Sequence, residues 1–333
     1  MKTVVVTGAS GFVARWVINE MLAHGYAVRG SLRSMAKADE VRQSVLVGAA
    51  KDKNENLSFF AADLTSLDGW DKGMTGADGV IHVASPLGHG TETADEMTAI
   101  AKGGVLNVFT AAHQAGIKRI VMTSSGAATT PEASVGAMTV TEDFWTDLNN
   151  PELDAYRISK VQAERAAWEF AKENDMQLST VLPGAIYGPI LSKRAMSSDA
   201  MLSRMLQGWT VVPKIPLDVS DVRDLATLHR LAFESDAAIG HRYLGAAQHT
   251  TLVDVARLYR SHYPNRHIHV VALPNWVTRV ASRFVPALVT LVPMLKRKYR
   301  LSSAAAKLDL DWHQRPVSET MLDAAQSILD NER

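Results

Sequence analysis

"TVVVTGASGFVARWV", residues 3–17, decides the architecture. Its first five residues are all β-branched and make the short apolar run of a strand buried on both faces. Two glycines, Gly8 and Gly11, interrupt it, and from Phe12 to Gly25 the apolar residues return at helical spacing. A chain that passes from strand to helix so tightly needs backbone without a Cβ. Such a turn aims the first N–H groups of the helix at one point in front of it, which is a seat for an anion. The third small position, where helix and sheet approach closely, holds Ala14. Strand, glycine turn and amphipathic helix in this order are the context that a dinucleotide-binding turn requires, so the pyrophosphate of a dinucleotide is the expected occupant.

The alternation continues downstream. "YAVRGSL" (26–32), "LSFFAAD" (57–63), "GVIHVAS" (79–85), "RIVMTSS" (119–125) and "LSTVLPG" (178–184) read as strands, with helical segments at 96–116 and 154–170 among them. Repeated strand–helix alternation predicts an α/β fold, a Rossmann-type doubly wound parallel sheet with helices on both faces. Past Pro183 prolines, methionines and short apolar segments mix until a helical C-terminal stretch, "VSETMLDAAQSILD" (317–330). The expected organisation is a nucleotide-binding domain over residues 1–182 with a return segment near 217–245, and a smaller, mainly substrate-binding lobe over 183–333.

The end of the second strand chooses between dinucleotides. An acidic side chain about 20 residues beyond the glycine turn would take the ribose 2′-hydroxyl of NAD. This chain has "VRGSLRSMAK" there, with no carboxylate before Asp39. Arg33, with Ser34 and Lys37 beside it, suits a 2′-phosphate, since a guanidinium fork gives two bonds to one group. The expected cofactor is therefore NADP, bound as NADPH. Asp63, after the third strand, either accepts from the adenine amino group or caps the turn near Thr65.

"DAYRISKVQAERAAWEF" (154–170) is the second informative stretch. Tyr156, Lys160, Ala163, Ala167 and Phe170 fall on one helical stripe, and all but the lysine suit burial. Arg157, Gln162, Glu164 and Glu169 are expected on the wet side. A lysine on a dry stripe makes sense where a cofactor covers that stripe. Strand 119–125 ends in Ser124 and Ser125, and ligands of open α/β sheets lie beyond the carboxyl ends of the strands. Tyr156, Lys160 and one of those serines can thus converge at a nicotinamide. Reduction of a carbonyl needs a proton on oxygen. A phenol has an unperturbed pKa of about 10, and a neighbouring ammonium favours its charged form. The serine would hold the substrate oxygen by a bond that strengthens as charge builds there.

"VTGASGFVARWV", "VRGSLRS", "IHVAS", "VMTSSGA", "YRISK" and "VLPGAIYGP" together resemble the extended short-chain dehydrogenases/reductases. The likeness runs from residue 1 to about 245 and is greatest to the dihydroflavonol reductase-like branch, with its NADPH-dependent aldehyde and ketone reductases. It implies Ser125, rather than Ser124, as the donor to substrate oxygen, beside Tyr156 and Lys160. It implies cofactor contacts from Gly8, Gly11, Phe12, Val13, Arg33, Asp63, Leu64, Val83, Ser85, Pro183 and Ile186. Ser10, Lys37 and Thr123 complete the expected cofactor site. The function so implied is NADP-dependent interconversion of a carbonyl compound and an alcohol. A 3β-hydroxysteroid-type dehydrogenase, an NAD-dependent sugar-nucleotide epimerase or dehydratase, and a non-catalytic NADP sensor are the competing readings.

Composition narrows the rest. The 333 residues carry 35 basic and 35 acidic side chains and no cysteine. Balanced charge gives no electrostatic reason to bind nucleic acid or an anionic membrane, and the missing thiols exclude disulfides and cysteine chemistry. A small-molecule carbonyl or alcohol is the expected partner, in the cytoplasm, with a homodimer through the catalytic helix and its neighbour possible by the family resemblance. The N-terminus lacks the apolar core of a secretory signal. The apolar stretch 276–295 is broken by Arg279, Arg283, Pro286 and Pro293 and is read as a helical pair rather than a membrane span. No metal site is expected: His267 and His269 lack a third ligand. His82 is expected to be buried and hydrogen-bonded, Asn107 to anchor a water or backbone group, and "DVRD" (221–224) to form a local ion pair.

Overall fold

The computed structural model describes residues 1–85, 93–192, 199–246, 248–284 and 292–332. The first half of the chain opens with β1 (Thr3–Val6), α1 (Phe12–Ala23), β2 (Ala27–Leu32), α2 (Ala38–Val45), β3 (Leu57–Ala61), α3 (Trp70–Met74), β4 (Gly79–His82), α4 (Ala94–Gln114) and β5 (Arg119–Thr123). It continues through β6 (Thr139–Val140), α5 (Ala155–Glu173) and β7 (Gln177–Leu182). Then come β8 (Ala185–Tyr187), α6 (Asp199–Leu206), β9 (Trp209–Pro213), β10 (Pro216–Asp221), α7 (Val222–Glu234), β11 (Arg242–Leu244) and β12 (Gln248–Thr251). The chain ends with α8 (Leu252–His262), β13 (His269–Leu273), α9 (Asn275–Ala281), β14 (Arg300–Leu301), α10 (Ala304–Leu310) and α11 (Val317–Glu332).

Seven strands form the main sheet in the order β11-β7-β5-β4-β1-β2-β3, every pairing parallel. The chain winds outward from β1 to β3, then starts again on the other side of β1 with β4. The strand order therefore reverses between β1 and β4, and a crevice opens there at the carboxyl ends of the strands.

Period-2 alternation builds the two cores. Val4 and Val6 face α1 and α7, among Val17, Ile18, Met21, Leu225 and Leu228. Val5, between them, faces the other way with Val80 and Ile120, against Val105, Val108 and Phe109 of α4 and Ala163 and Ala167 of α5. The second half of the chain has its own core, where α6, α8 and α11 enclose Leu202, Val255, Tyr259, Met321 and Ile328. It holds the sheet β12-β10-β8 and the pair β13-β9.

The chain re-enters the first half twice. Helix α7 packs on the α1 face, and strand β11 joins the main sheet beside β7. A second return involves Ala306, Leu310 and Trp312, which join the core on the α1/α7 face. Trp312 donates its indole N–H to the Asp224 carbonyl at 2.7 Å. Of the apolar stretch 276–295, residues 285–291 lie outside the described residues; 275–281 is the short helix α9. Among the described residues no helix is long and apolar enough to cross a membrane.

Candidate active site

Parallel strands end on one edge, and that edge collects the expected residues. Gly8, Ser10, Gly11, Phe12 and Val13 follow β1, Arg33 and Lys37 follow β2, and Asp63 and Leu64 follow β3. Val83 and Ser85 follow β4, Thr123, Ser124 and Ser125 close β5, and Pro183 and Ile186 lie beyond β7.

The glycine turn fits a dinucleotide on its own geometry. Gly8 has φ of +69°, and a Cβ there would lie 2.9 Å from the Ala84 Cβ. Only glycine lets β1 and β4 converge at this level. The Gly8 N–H is fixed by Ser31 Oγ at 2.9 Å. Gly11 is the N-cap of α1, no side chain caps that helix, and no acidic residue sits in its first turn. An anion in front of α1 would meet backbone N–H groups with no competing carboxylate. Arg33, Ser34 and Lys37 are exposed just past β2, within the span where a ribose 2′-substituent is read.

Tyr156 and Lys160 stand one turn apart on α5, whose first turn is capped by Asp154 accepting from the Arg157 N–H at 2.8 Å. The Lys160 ammonium is buried, lies 5.6 Å from the centre of the Tyr156 ring, and donates to Ser85 Oγ at 2.7 Å. It thus reaches from α5 across to the end of β4. Ser125 is buried, and its Oγ accepts from the Ala127 N–H at 3.1 Å, which leaves the O–H to donate. Ser125 and Tyr156 line one cavity of about 180 Å³.

The rest of that cavity comes from the second half of the chain. Leu217 and Asp218 of β10 and Met294, Arg297, Tyr299 and Leu301 near β14 form its far wall. Asp218 is ion-paired with Arg297 on one oxygen and contacts His249 with the other. The Arg297 guanidinium lies 4.3 Å from the centre of the Tyr299 ring, and burial pulls its pKa below the usual arginine range. From the sequence, "KRKYR" (296–300) reads as a solvated face, whereas Arg297 and Tyr299 stand in this wall. The strands of the wall are short, and no spacing links 294–301 to Ser125.

Glu164 corrects the helical reading. Placed with the wet residues of α5, it is fully buried. Its carboxylate accepts from Ser124 Oγ at 2.6 Å, Thr180 Oγ1 at 2.8 Å and Arg242 Nε at 2.9 Å. A signal was present, because Tyr156, Lys160 and Glu164 recur at steps of four.

Other expected residues take more structural posts. Asp63 Oδ1 accepts from the Thr65 N–H at 2.9 Å and its hydroxyl at 2.8 Å, and these bonds hold the Asp63 pKa below the usual carboxylate range. It secures the turn after β3. The hydroxyl of Thr123 is turned away to His229 Nε2, at 2.7 Å. Asn107 donates to the Leu64 carbonyl at 2.8 Å, so it anchors backbone beside the cofactor edge. His82 is buried with Nδ1 2.9 Å from Thr7 Oγ1, and that same hydroxyl oxygen accepts the N–H groups of Val83 and Ala84. Asp221 caps α7 and pairs with Arg223 at 2.7 Å. Among the described residues no group of three or more His, Asp or Glu side chains could hold a metal ion.

The chain is similar to known proteins in sequence and in fold. Residues 4–244 match the model of the NAD dependent epimerase/dehydratase family. The chain is 33% identical to cinnamoyl-CoA reductase CAD2 of Medicago truncatula over 275 residues, covering 79% of this chain and 82% of that protein. It is 29% identical to the dihydroflavonol 4-reductase of Dianthus caryophyllus over 280 residues, 80% and 75% of the two chains. Its fold superposes on yeast methylglyoxal/isovaleraldehyde reductase Gre2, solved with NADPH, with a TM-score of 0.82, 26% identity and 99% of both chains covered.

Proposed function

The chain belongs to the NAD dependent epimerase/dehydratase family, and within it we propose that this is an NADPH-dependent reductase of aldehydes or ketones with Tyr156 as proton donor. The cofactor is NADP. The observation that carries the reading is the meeting of three side chains at the ends of β4 and β5. Lys160 is held at Ser85, and Tyr156 and Ser125 share one cavity.

Bound NADPH would supply a hydride to the carbonyl carbon. The α1 turn, with Gly8, Ser10, Gly11, Phe12 and Val13, would hold its pyrophosphate, and Arg33 and Lys37 its 2′-phosphate. Asp63, Leu64, Val83, Ser85, Thr123, Pro183 and Ile186 belong to the same proposed seat, Thr123 through its backbone. Tyr156 Oη gives its proton to the carbonyl oxygen. Ser125 Oγ donates a hydrogen bond to that oxygen, which strengthens as negative charge develops. Lys160 fixes the phenol and offers a donor to the nicotinamide ribose. The products are an alcohol and the oxidised cofactor.

A cavity of about 180 Å³, walled by Pro183, Leu217 and Leu301 with Arg297 at one side, suits a compact carbonyl compound. The homodimer expected from the resemblance belongs to the same proposal, and sedimentation velocity reads it directly: a single species of monomer mass removes it.

The test is oxidation of NADPH and of NADH with aryl aldehydes, α-keto esters, flavonoid-like ketones and steroids. Turnover with NADPH that falls at least about 100-fold in Tyr156→Phe is the expected result, the size usual for a general acid. Reduction that survives this change undiminished removes the assigned proton donor. Purified protein that carries NAD and does not turn over free NADPH would place the chain with the epimerases instead.

A further inference from the structure

Glu164 lies one helical turn beyond Lys160 with no exposed surface, and five donors converge on its carboxylate. Oε2 accepts from Ser124 Oγ at 2.6 Å and Arg242 Nη2 at 3.1 Å. Oε1 accepts from Thr180 Oγ1 at 2.8 Å, Arg242 Nε at 2.9 Å and, more weakly, Trp168 Nε1 at 3.4 Å. Ser124 directly follows β5, Thr180 is in β7 and Arg242 is in β11, so one side chain of α5 ties together three adjacent strands of the main sheet. Arg242 also donates through Nη1 to the carbonyls of Glu142 and Phe144, at 2.6 and 2.9 Å, and stacks 3.7 Å from the centre of the Trp145 ring. The segment leading into α5 is thereby tied to the same hub.

A buried ion pair is a poor way to gain stability, because desolvation offsets much of its attraction. It is a good way to fix one arrangement. The face that α5 turns to the core is mostly small: Ala163, Ala166, Ala167 and Ala171 are buried. Alanines give close approach but little keying against sliding or rotation. Val161 and the edge-on contact of Phe170 with Phe109 add some keying, and the end of β5 is registered to the helix by the polar contacts of Glu164. Ser124, held by Glu164, is the residue before Ser125, and its N–H is also fixed to the Val181 carbonyl at 2.8 Å.

We propose that Glu164 is a positioning residue for the reduction: through Ser124 and the twin bonds from Arg242 it sets where Ser125 stands relative to Tyr156. This rests on the assignment of Ser125 and Tyr156 above. A reacting group displaced by about 1 Å can lose about 100-fold in rate, so the hub acts on kcat more than on cofactor binding.

The experiment uses the full chain with NADPH and a substrate found in the panel. Glu164→Gln keeps the volume but cannot receive all five donors, and Ser124→Ala removes one bond without stranding a charge. The expected result is a kcat about 10- to 100-fold lower in Glu164→Gln and about 3- to 10-fold lower in Ser124→Ala, with NADPH affinity within about twofold of the parent. The primary isotope effect with NADPH deuterated at the transferred position rises in both, because hydride transfer becomes the slow step. Ser124→Thr, which keeps the hydroxyl, restores most of the rate. Lower thermal stability with unchanged kcat and isotope effect makes the hub a structural brace only and overturns the proposal. If Glu164→Gln does not fold, the two Ser124 variants decide alone. Tyr156→Phe is assayed in parallel: if it retains the rate, the site assignment itself fails, whereas loss there with Ser124→Ala unaffected defeats only the positioning role.

Discussion

Lys160 donates to Ser85 Oγ at 2.7 Å while its ammonium lies 5.6 Å from the centre of the Tyr156 ring. The lysine is held between two elements, α5 on one side and the end of β4 on the other. Its carbon stem is buried, and its head meets Ser85 at the end of β4. Under the proposed function, a cation on an otherwise dry stripe has a use there, since a nicotinamide ribose would lie against it.

Ser85→Ala should therefore release the ammonium without removing it. A hydrogen bond to a charged group contributes about 1.5–3 kcal/mol, part of which water and the ribose replace. The expected outcome is a kcat/KM for NADPH reduced about tenfold, against a loss of at least about 100-fold in Lys160→Met. Steady-state kinetics with varied NADPH checks this. Equal losses in the two variants would mean that the lysine acts only through its bond to Ser85.

Gly8→Ala tests the glycine turn. The new Cβ meets Ala84 at 2.9 Å, and the backbone stays at a φ of +69° that disfavours any side chain. Ala84 cannot retreat freely, since its N–H is held by Thr7 Oγ1 at 2.9 Å. Left-handed backbone alone costs roughly 1–2 kcal/mol in an alanine, and the contact adds to it. Thermal melting should show a midpoint lower by several degrees, and fluorescence titration a clear loss of NADPH affinity. Parent-like values in both would contradict the close approach of β1 and β4.

The main sheet and its nucleotide edge were legible because their signals are local. Five β-branched residues, two glycines and a helical stripe lie within one stretch of chain. That Tyr156 and Lys160 share one helical face was legible for the same reason, since they are one turn apart. Glu164 was misplaced because its burial is decided by Thr180, Ser124 and Arg242, which stand 16, 40 and 78 residues away in sequence. A helical stripe sends a carboxylate to water unless a distant cation is known to meet it. The cavity wall from Met294 to Leu301 was invisible on similar grounds. It reaches Ser125 through β14 pairing with β6, a two-residue contact that leaves no pattern in the sequence.

Cofactor choice gives a third prediction. If Arg33 receives the 2′-phosphate, Arg33→Asp replaces attraction by repulsion at that group and offers a carboxylate to a 2′-hydroxyl. Preference for NADPH over NADH, as the ratio of the two kcat/KM values, should fall by about 100-fold, or about 2.7 kcal/mol. A ratio that does not move would shift the phosphate to Lys37 or to a residue elsewhere on the edge.

Two buried histidines predict how stability responds to acid. His82 is held down to about 3, by burial first and then by the charge of Lys160. His229 is held down to about 4 by burial, against the opposing effect of its bond to the Leu225 carbonyl. In the unfolded chain both titrate near 6.5. Between pH 6.5 and about 4 the unfolded chain therefore binds protons that the folded chain refuses, and stability falls as the pH is lowered. The slope is about 1.4 kcal/mol per pH unit for each histidine, while above pH 7 neither contributes a slope. Each histidine contributes a loss of about 2 kcal/mol by pH 5 in urea unfolding at pH 7, 6 and 5, partly offset by Asp224, whose carboxyl pKa is raised by burial to about 6. His229→Asn removes one of the two titrations. It should be less stable than the parent at pH 7, because it forfeits the bond to Thr123, yet lose stability less steeply toward pH 5. Parallel curves for parent and variant would show that His229 takes up its proton in the folded protein after all.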